Sequence, residues 1–246
     1  MGGKIRADQL LVDQGLVETR SQARSRILAG EIWADGVRVD KAGQMLPADA
    51  ALEERRRSGR YVSRGGLKLE GALADFSLKV EGARALDVGA STGGFTDCLL
   101  QHGAAEVTAV DVGYGQLHWR LRQDPRVRVI ERTNARLLTP DLVGGPFSLV
   151  VIDVSFISLA LILPAVLKVL SAGGQVLALV KPQFELRPEK VGRGGVVRDP
   201  VLQAEAVERV AGLARSLGLS VLGTAPARLK GPQGNQEYFL RLGPAA

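Results

Sequence analysis

The chain has one cysteine and two histidines among its 246 residues, and no apolar run long enough to cross a bilayer. A single thiol, Cys98, excludes an internal disulfide and a cysteine-built zinc cluster, and suits a reducing compartment. It reads as a small apolar residue of a helix. The two histidines, His102 and His118, both precede the later acids, so no histidine stands where a serine hydrolase needs one. The longest apolar stretches, 159–170 and 176–180, are short or interrupted by Pro164, Lys168, Ser171 and Gly173, whereas a span needs about 18 or more apolar residues. The opening Met1-Gly2-Gly3-Lys4 leads into charged sequence and has no signal-peptide character. These absences point to a cytoplasmic protein with no membrane partner, and no His/Cys cluster calls for a metal.

What remains is an ordinary globular composition, 46% hydrophobic and 24% charged, with a formal charge of +6. Residues 1–66 hold 12 of the 32 Lys/Arg and 9 of the 26 Asp/Glu, so half the positive excess sits in about a quarter of the chain. Arg20/Arg24/Arg26 and Arg55/Arg56/Arg57/Arg60/Arg64 form basic clusters there. Such clusters fit a solvated face or a polyanionic partner.

The first sixty residues read as helix, turn, helix, hairpin. Leu10, Leu11 and Leu16 suggest a helix over 7–14 stopped by Gly15. Thr19 with Gln22 makes a capping-box pattern for a second helix ending at Gly30, with Arg20, Arg24 and Arg26 towards its outer surface. Ile32-Trp33-Ala34-Asp35-Gly36-Val37-Arg38-Val39 is a hairpin signal around Asp-Gly. In order and spacing these elements resemble the S4 RNA-binding module. The resemblance implies contacts between structured RNA and the helical pair, and places Arg6, Arg20 and Arg24 near phosphates, with Arg60 and Arg64 continuing the basic surface. A guanidinium held on a helix can fork onto phosphate oxygens. Arg6 can equally pair with Asp8 or Asp13.

From residue 67 the pattern alternates. Strands are predicted over 84–89, 106–111, 126–131, 147–154, 174–181, 219–224 and 237–242. Helices are predicted over 67–76, 95–102, 159–170 and 201–217, the last opened by Asp199 and Pro200. Apolar strands separated by helices predict a mainly parallel sheet covered on both faces, its last strand turned back antiparallel after Pro232-Gln233-Gly234-Asn235. The expected organisation is an S4-like domain over 1–60, a linker over 61–66 and an α/β domain over 67–246.

Residues Gly89, Ala90, Ser91, Thr92, Gly93, Gly94, Phe95 and Thr96 make a glycine-rich turn between the first strand of that domain and a helix. Ser91 occupies the position where a dinucleotide fingerprint needs its second glycine, which disfavours a pyrophosphate. Twenty-two residues after Gly89, Asp111 ends the next strand, followed by Val112, and can accept from both hydroxyls of a ribose. A ribose-bearing ligand without phosphate, S-adenosylmethionine, fits both features. Asn134, after the third strand, is placed at an adenine edge.

Four further polar residues fall at element ends that line the crevice of an open α/β sheet: Lys68, Asp153, Lys181 and Glu237. In that order they resemble the Lys-Asp-Lys-Glu set of FtsJ-type RNA 2′-O-methyltransferases. With the S4-like module, the whole chain resembles the TlyA, or haemolysin A-like, family. The resemblance implies a Rossmann-like methyltransferase domain and S-adenosylmethionine as cofactor. It further implies methylation of a cytidine ribose 2′-oxygen in ribosomal RNA within 30S or 50S subunits, by a monomer. Lys181 is the expected proton acceptor, made neutral by desolvation and a nearby Lys68. Asp153 orients it and touches the cofactor, while Lys68 and Glu237 position the hydroxyl. Two other classes stay open: a membrane-active haemolysin-like protein and a non-catalytic RNA-binding assembly factor.

Overall fold

A computed structural model describes residues 3–55 and 59–244. Arg56 and Arg57 of the second basic cluster lie outside the described residues.

The N-terminal elements are β1 (Lys4–Arg6), α1 (Ala7–Asp13), α2 (Arg20–Leu28), β2 (Ile32–Ala34), β3 (Val37–Arg38), β4 (Met45–Pro47) and β5 (Leu52–Glu54). Thr19 Oγ1 accepts from Gln22 N at 3.2 Å and caps α2 as its sequence predicts, while Gln22 Oε1 reaches past the cap to accept from Glu18 N at 2.9 Å. The hairpin turns through Asp35 (φ 48°) and Gly36 (φ 78°), the left-handed pair that a two-residue turn requires. Leu10, Leu11, Ala23, Ile27, Ile32 and Val39 pack as the core of this unit.

The second unit opens with α3 (Arg64–Asp75), then β6 (Arg84–Val88), α4 (Gly94–Gln101), β7 (Glu106–Val110), α5 (Trp119–Arg122), β8 (Val127–Ile130), α6 (Pro140–Val143) and β9 (Phe147–Ile152). It continues through α7 (Leu163–Leu167), β10 (Leu170–Val180), α8 (Pro182–Glu185), α9 (Pro200–Ser216), β11 (Leu219–Pro226) and β12 (Tyr238–Pro244). The helix α3 begins inside the segment expected as linker: Arg64, Gly65 and Gly66 form its first turn, and Tyr61 is buried against its core. Gly66 carries no Cβ because one would stand 2.3 Å from the Tyr61 ring.

The seven strands are ordered β11-β12-β10-β9-β6-β7-β8, parallel except for β12, which is antiparallel to both neighbours. Side chains alternate across this sheet. Leu86, Val150, Ile152, Val176 and Ala178 face a core shared with α7 and α9, and Ala85, Leu149, Val151, Leu177 and Leu179 face one shared with α3 and α4. The helix expected over 159–170 does not form. A 3-10 turn at Leu159–Leu161 leads into the short α7, which has Pro164 in its first turn, and β10 already begins at Leu170. The helix α9 starts as predicted, with Asp199 Oδ1 accepting from Val201 N at 2.8 Å and Pro200 at its first position.

The units touch through α2 and α5. His118 Nε2 lies 3.1 Å from Glu31 Oε1, and the Arg26 guanidinium lies over the Trp119 ring. Arg26, expected on the outer surface of α2, is instead turned inward and pairs with Glu54 at 2.5 Å.

Candidate active site

The loop after β6 is shaped by backbone that only glycine adopts easily. Gly89 has φ 87°, and a Cβ there would sit 2.5 Å from the Asp153 carbonyl oxygen. Gly94 is closed in equally: a Cβ would meet Ser63 Oγ at 2.2 Å, where α3 packs on α4. Ser91, at φ 48°, keeps the left-handed bend despite its side chain. Asp111 holds the loop from the neighbouring strand, accepting from Ser91 N at 2.8 Å and from Gly113 N at 2.6 Å.

Beneath the loop, Asp87 is fully buried, with Thr96 Oγ1 donating to its Oδ2 at 2.6 Å and no hydrogen-bond partner at Oδ1 among the described residues. Burial pushes its carboxyl up to about 7, the Thr96 hydrogen bond offsets part of that, and the nearby Asp153 charge adds to it.

Two clefts meet at this loop. One, of about 470 Å³, runs past Asp111, Val112, Asn134, Ala135, Val154 and Ile157. The other, of about 330 Å³, runs past Ser63, Arg64, Lys68, Phe95 and Lys181, and both include Gly89, Ser91, Asp153 and Ser155. A third cleft, of about 720 Å³, joins the second at Ser155, Lys181 and Pro232 and extends to Phe156, Gln183, Gly231 and Glu237.

The four polar residues converge where these clefts join, each for a topological reason. Asp153 follows β9, Lys181 follows β10, and β12 runs backwards so that its first residue, Tyr238, pairs with Val180 and brings Glu237 to the same rim. They form two ion pairs. Lys68 Nζ donates to Glu237 Oε2 at 2.5 Å, with both residues buried. Lys181 Nζ lies 2.5 Å from Asp153 Oδ1 and donates to Ser155 Oγ at 2.8 Å. The nearest charge to Lys68 is therefore a carboxylate, and not Lys181 as the sequence led us to expect. Ser155 and Phe156 escaped the sequence reading. Phe156 is 90% exposed at φ 64° with its ring 5.1 Å from that of Phe184. A large apolar residue held outward beside an acidic strand end was the available signal.

The remaining expected positions are spread as their elements dictate. Asn134 lines the first cleft and caps a 3-10 turn, its Oδ1 accepting from Arg136 N at 3.1 Å. Gly93 and Thr96 do not line either cleft at the loop; Gly93 packs against Leu117 and Leu121, and Thr96 is spent on Asp87. Arg6 and Arg20 share one buried carboxylate. Asp8 accepts from Arg6 Nε and Nη2 and from Arg20 Nη2, all at 2.9 Å, while each arginine stays about half exposed. Burial would raise the Asp8 carboxyl, but the hydrogen bonds from both guanidiniums outweigh it and hold it at about 2. Arg24 and Arg64 are exposed, whereas Arg60 pairs with Glu70 and lies over Tyr61.

A mainly parallel seven-stranded sheet with an antiparallel β12, a glycine loop after β6 and an acid after β7 defines a Rossmann-like methyltransferase. Residues 61–244 match the model of the FtsJ-like methyltransferase family and residues 5–51 that of the S4 domain. The 16S/23S rRNA (cytidine-2′-O)-methyltransferase TlyA of Mycobacterium tuberculosis is 51% identical over 98% of this chain and 91% of its own length. Hemolysin A of Brachyspira hyodysenteriae is 40% identical over 96% of this chain and 98% of its own. A solved structure named "Putative hemolysin from Streptococcus thermophilus" superposes with a TM-score of 0.75 at 48% identity, covering 100% of this chain and 90% of that one. The chain belongs to the FtsJ-like methyltransferase family and, within it, to the TlyA group that carries an N-terminal S4 domain.

Proposed function

We propose that this protein methylates the 2′-oxygen of a cytidine ribose in ribosomal RNA, using S-adenosylmethionine, on assembled ribosomal subunits. The observation that carries the reading is the meeting of Lys68, Asp153, Lys181 and Glu237 at one rim, beside the glycine loop and at the mouth of a further cleft. Its relative from Mycobacterium tuberculosis bears the name of that activity.

The residues present fit the cofactor. The first cleft offers an apolar end with Asn134 for a base and Asp111 for ribose hydroxyls, and Gly89, Ala90, Ser91, Thr92, Gly94 and Phe95 enclose the rest where a Cβ on Gly89 would intrude. The orphaned Oδ1 of Asp153 marks the end expected to meet a cationic ligand. When bound, S-adenosylmethionine supplies an electrophilic methyl group.

Lys181 holds the acceptor oxygen and, entering the step neutral, takes its proton. Ser155 and Asp153 fix the position of Nζ. Lys68, itself held by Glu237, orients the hydroxyl from the opposite side, so that attack is in line. Phe156 presents a flat face on which an extruded base can stack. On the S4 module, Asp8 sets Arg6 and Arg20 side by side as a phosphate fork, with Arg24 beyond them on α2 and Arg60 and Arg64 continuing the basic surface towards the cleft.

The hemolysin names of two relatives raise the membrane reading. Among the described residues no helix is long and apolar enough to cross a membrane. The reading is tested by methyl transfer from labelled S-adenosylmethionine to purified 30S, 50S and naked rRNA, followed by nucleotide mapping. Label confined to a cytidine ribose supports it; label on a base, or none on any RNA, overturns it.

A further inference from the structure

The third cleft contains a carboxamide with nothing to do. Gln183 stands two residues beyond Lys181, in the first turn of α8, and lines the cleft with Phe156 and Phe184. Its Oε1 is shielded from solvent and has no hydrogen-bond partner among the described residues. The other buried amide there is committed: Asn235 Oδ1 accepts from Val197 N at 2.9 Å, and Asn235 Nδ2 donates to the Gly195 carbonyl at 2.8 Å. Gln233 is exposed on the turn before β12. Leaving a carbonyl oxygen dry and unpaired is costly, and that cost is recovered when a donor arrives. No hydrogen bond holds the Gln183 side chain, so its amide is free to turn into the cleft.

We propose that Gln183 reads the base of the acceptor nucleotide, its carboxamide pairing with the N4 amino group and N3 of cytosine. This rests on the function proposed above. A ribose held at Lys181 sends its base into the adjoining cleft, where the Phe156 and Phe184 rings form an apolar wall. The edge of the base then needs polar partners, and an amide supplies one acceptor beside one donor. Cytosine presents the complementary pair, N4–H beside the N3 lone pair, and gives the unpaired Oε1 the donor it lacks. Uracil presents the reverse order, a carbonyl oxygen beside N3–H, and meets the same amide orientation with oxygen against oxygen. The discrimination arises because the wrong base leaves buried polar groups unpaired.

The test is single-turnover methyl transfer to subunits carrying cytidine or uridine at the mapped position. Wild-type protein is compared with Gln183→Leu and the near-isosteric Gln183→Glu. Gln183→Leu is expected to lower transfer to cytidine by about 10–100-fold and to erode the preference over uridine, with S-adenosylmethionine affinity unchanged. Gln183→Glu is expected to lose transfer to cytidine as well, since its second oxygen faces the N3 lone pair. Two soluble, cofactor-binding variants that keep the wild-type rate and the wild-type base preference overturn the role of Gln183. Wild-type protein that methylates neither substrate overturns the proposed function, and this role with it.

Discussion

Lys68 and Glu237 are separated by 169 residues in sequence, yet Nζ and Oε2 lie 2.5 Å apart, buried together at the rim of the sheet. The second pair, Lys181 with Asp153, stands beside it with Ser155 as a third partner. This arrangement divides the labour between a lysine held by a buried glutamate and a lysine that faces both clefts. Lys181→Ala should therefore remove about 10²–10⁴-fold of the methyl-transfer rate, the range associated with loss of a general base, while the fold and cofactor affinity persist. Single-turnover transfer with circular dichroism and binding controls separates these effects. A near-wild-type rate would shift the proton transfer to Lys68.

Asp111 has two tasks, bracing the loop through the amides of Ser91 and Gly113 and presenting oxygen to the first cleft. Asp111→Ala is expected to weaken S-adenosylmethionine binding by about 1–3 kcal/mol through loss of a partly buried acceptor. Isothermal titration measures it directly, and unchanged affinity would remove Asp111 from the cofactor site.

On the S4 module, the exposed arginines of α2 are the expected phosphate contacts. Replacing Arg20 and Arg24 together by alanine should weaken subunit binding and reduce the salt slope by about two counterions at most. Binding measured across a salt series checks both quantities at once. Wild-type affinity and slope in the double mutant would place the docking surface elsewhere.

Asp87 gives a pH signature. Its folded carboxyl titrates near 7, chiefly because it is buried, against an ordinary value near 3.8. Between those two values the folded protein keeps a proton that the unfolded chain has released, so this group's contribution to stability declines as pH rises from 4 towards 7 and stays lost above. Asp87→Asn cannot titrate. Relative to that variant, the wild type should lose ~1–4 kcal/mol between pH 5 and pH 8, read by chemical denaturation. Parallel pH profiles for the two proteins would show that Asp87 is ionised throughout.

Much of this was legible from residue order. The glycine loop, Asp111 and the four rim residues fall at strand ends because an α/β sheet exposes those ends, and period-2 apolar runs located all seven strands. The misread helix over 159–170 shows the limit of that logic. Its apolar residues are buried on every side, so no helical stripe distinguishes them from strand, and Pro164 leaves room for only a short α7. Pairing within the rim was also hidden, since it depends on β12 running backwards beside β10. Arg26 looked like its neighbours Arg20 and Arg24; only the packing of α2 on α5 turns it towards Glu54 and Trp119. Ser155, Phe156 and Gln183 lie in loops or single turns, where periodicity carries no signal.

The central claim is that the acceptor atom is a ribose 2′-oxygen. It is tested most directly with subunits in which the mapped target nucleotide is replaced by its 2′-deoxy counterpart. Transfer of labelled methyl from S-adenosylmethionine should then fall to background while protein still binds the subunit. Methylation that survives the missing hydroxyl would contradict the account and move the acceptor to the base.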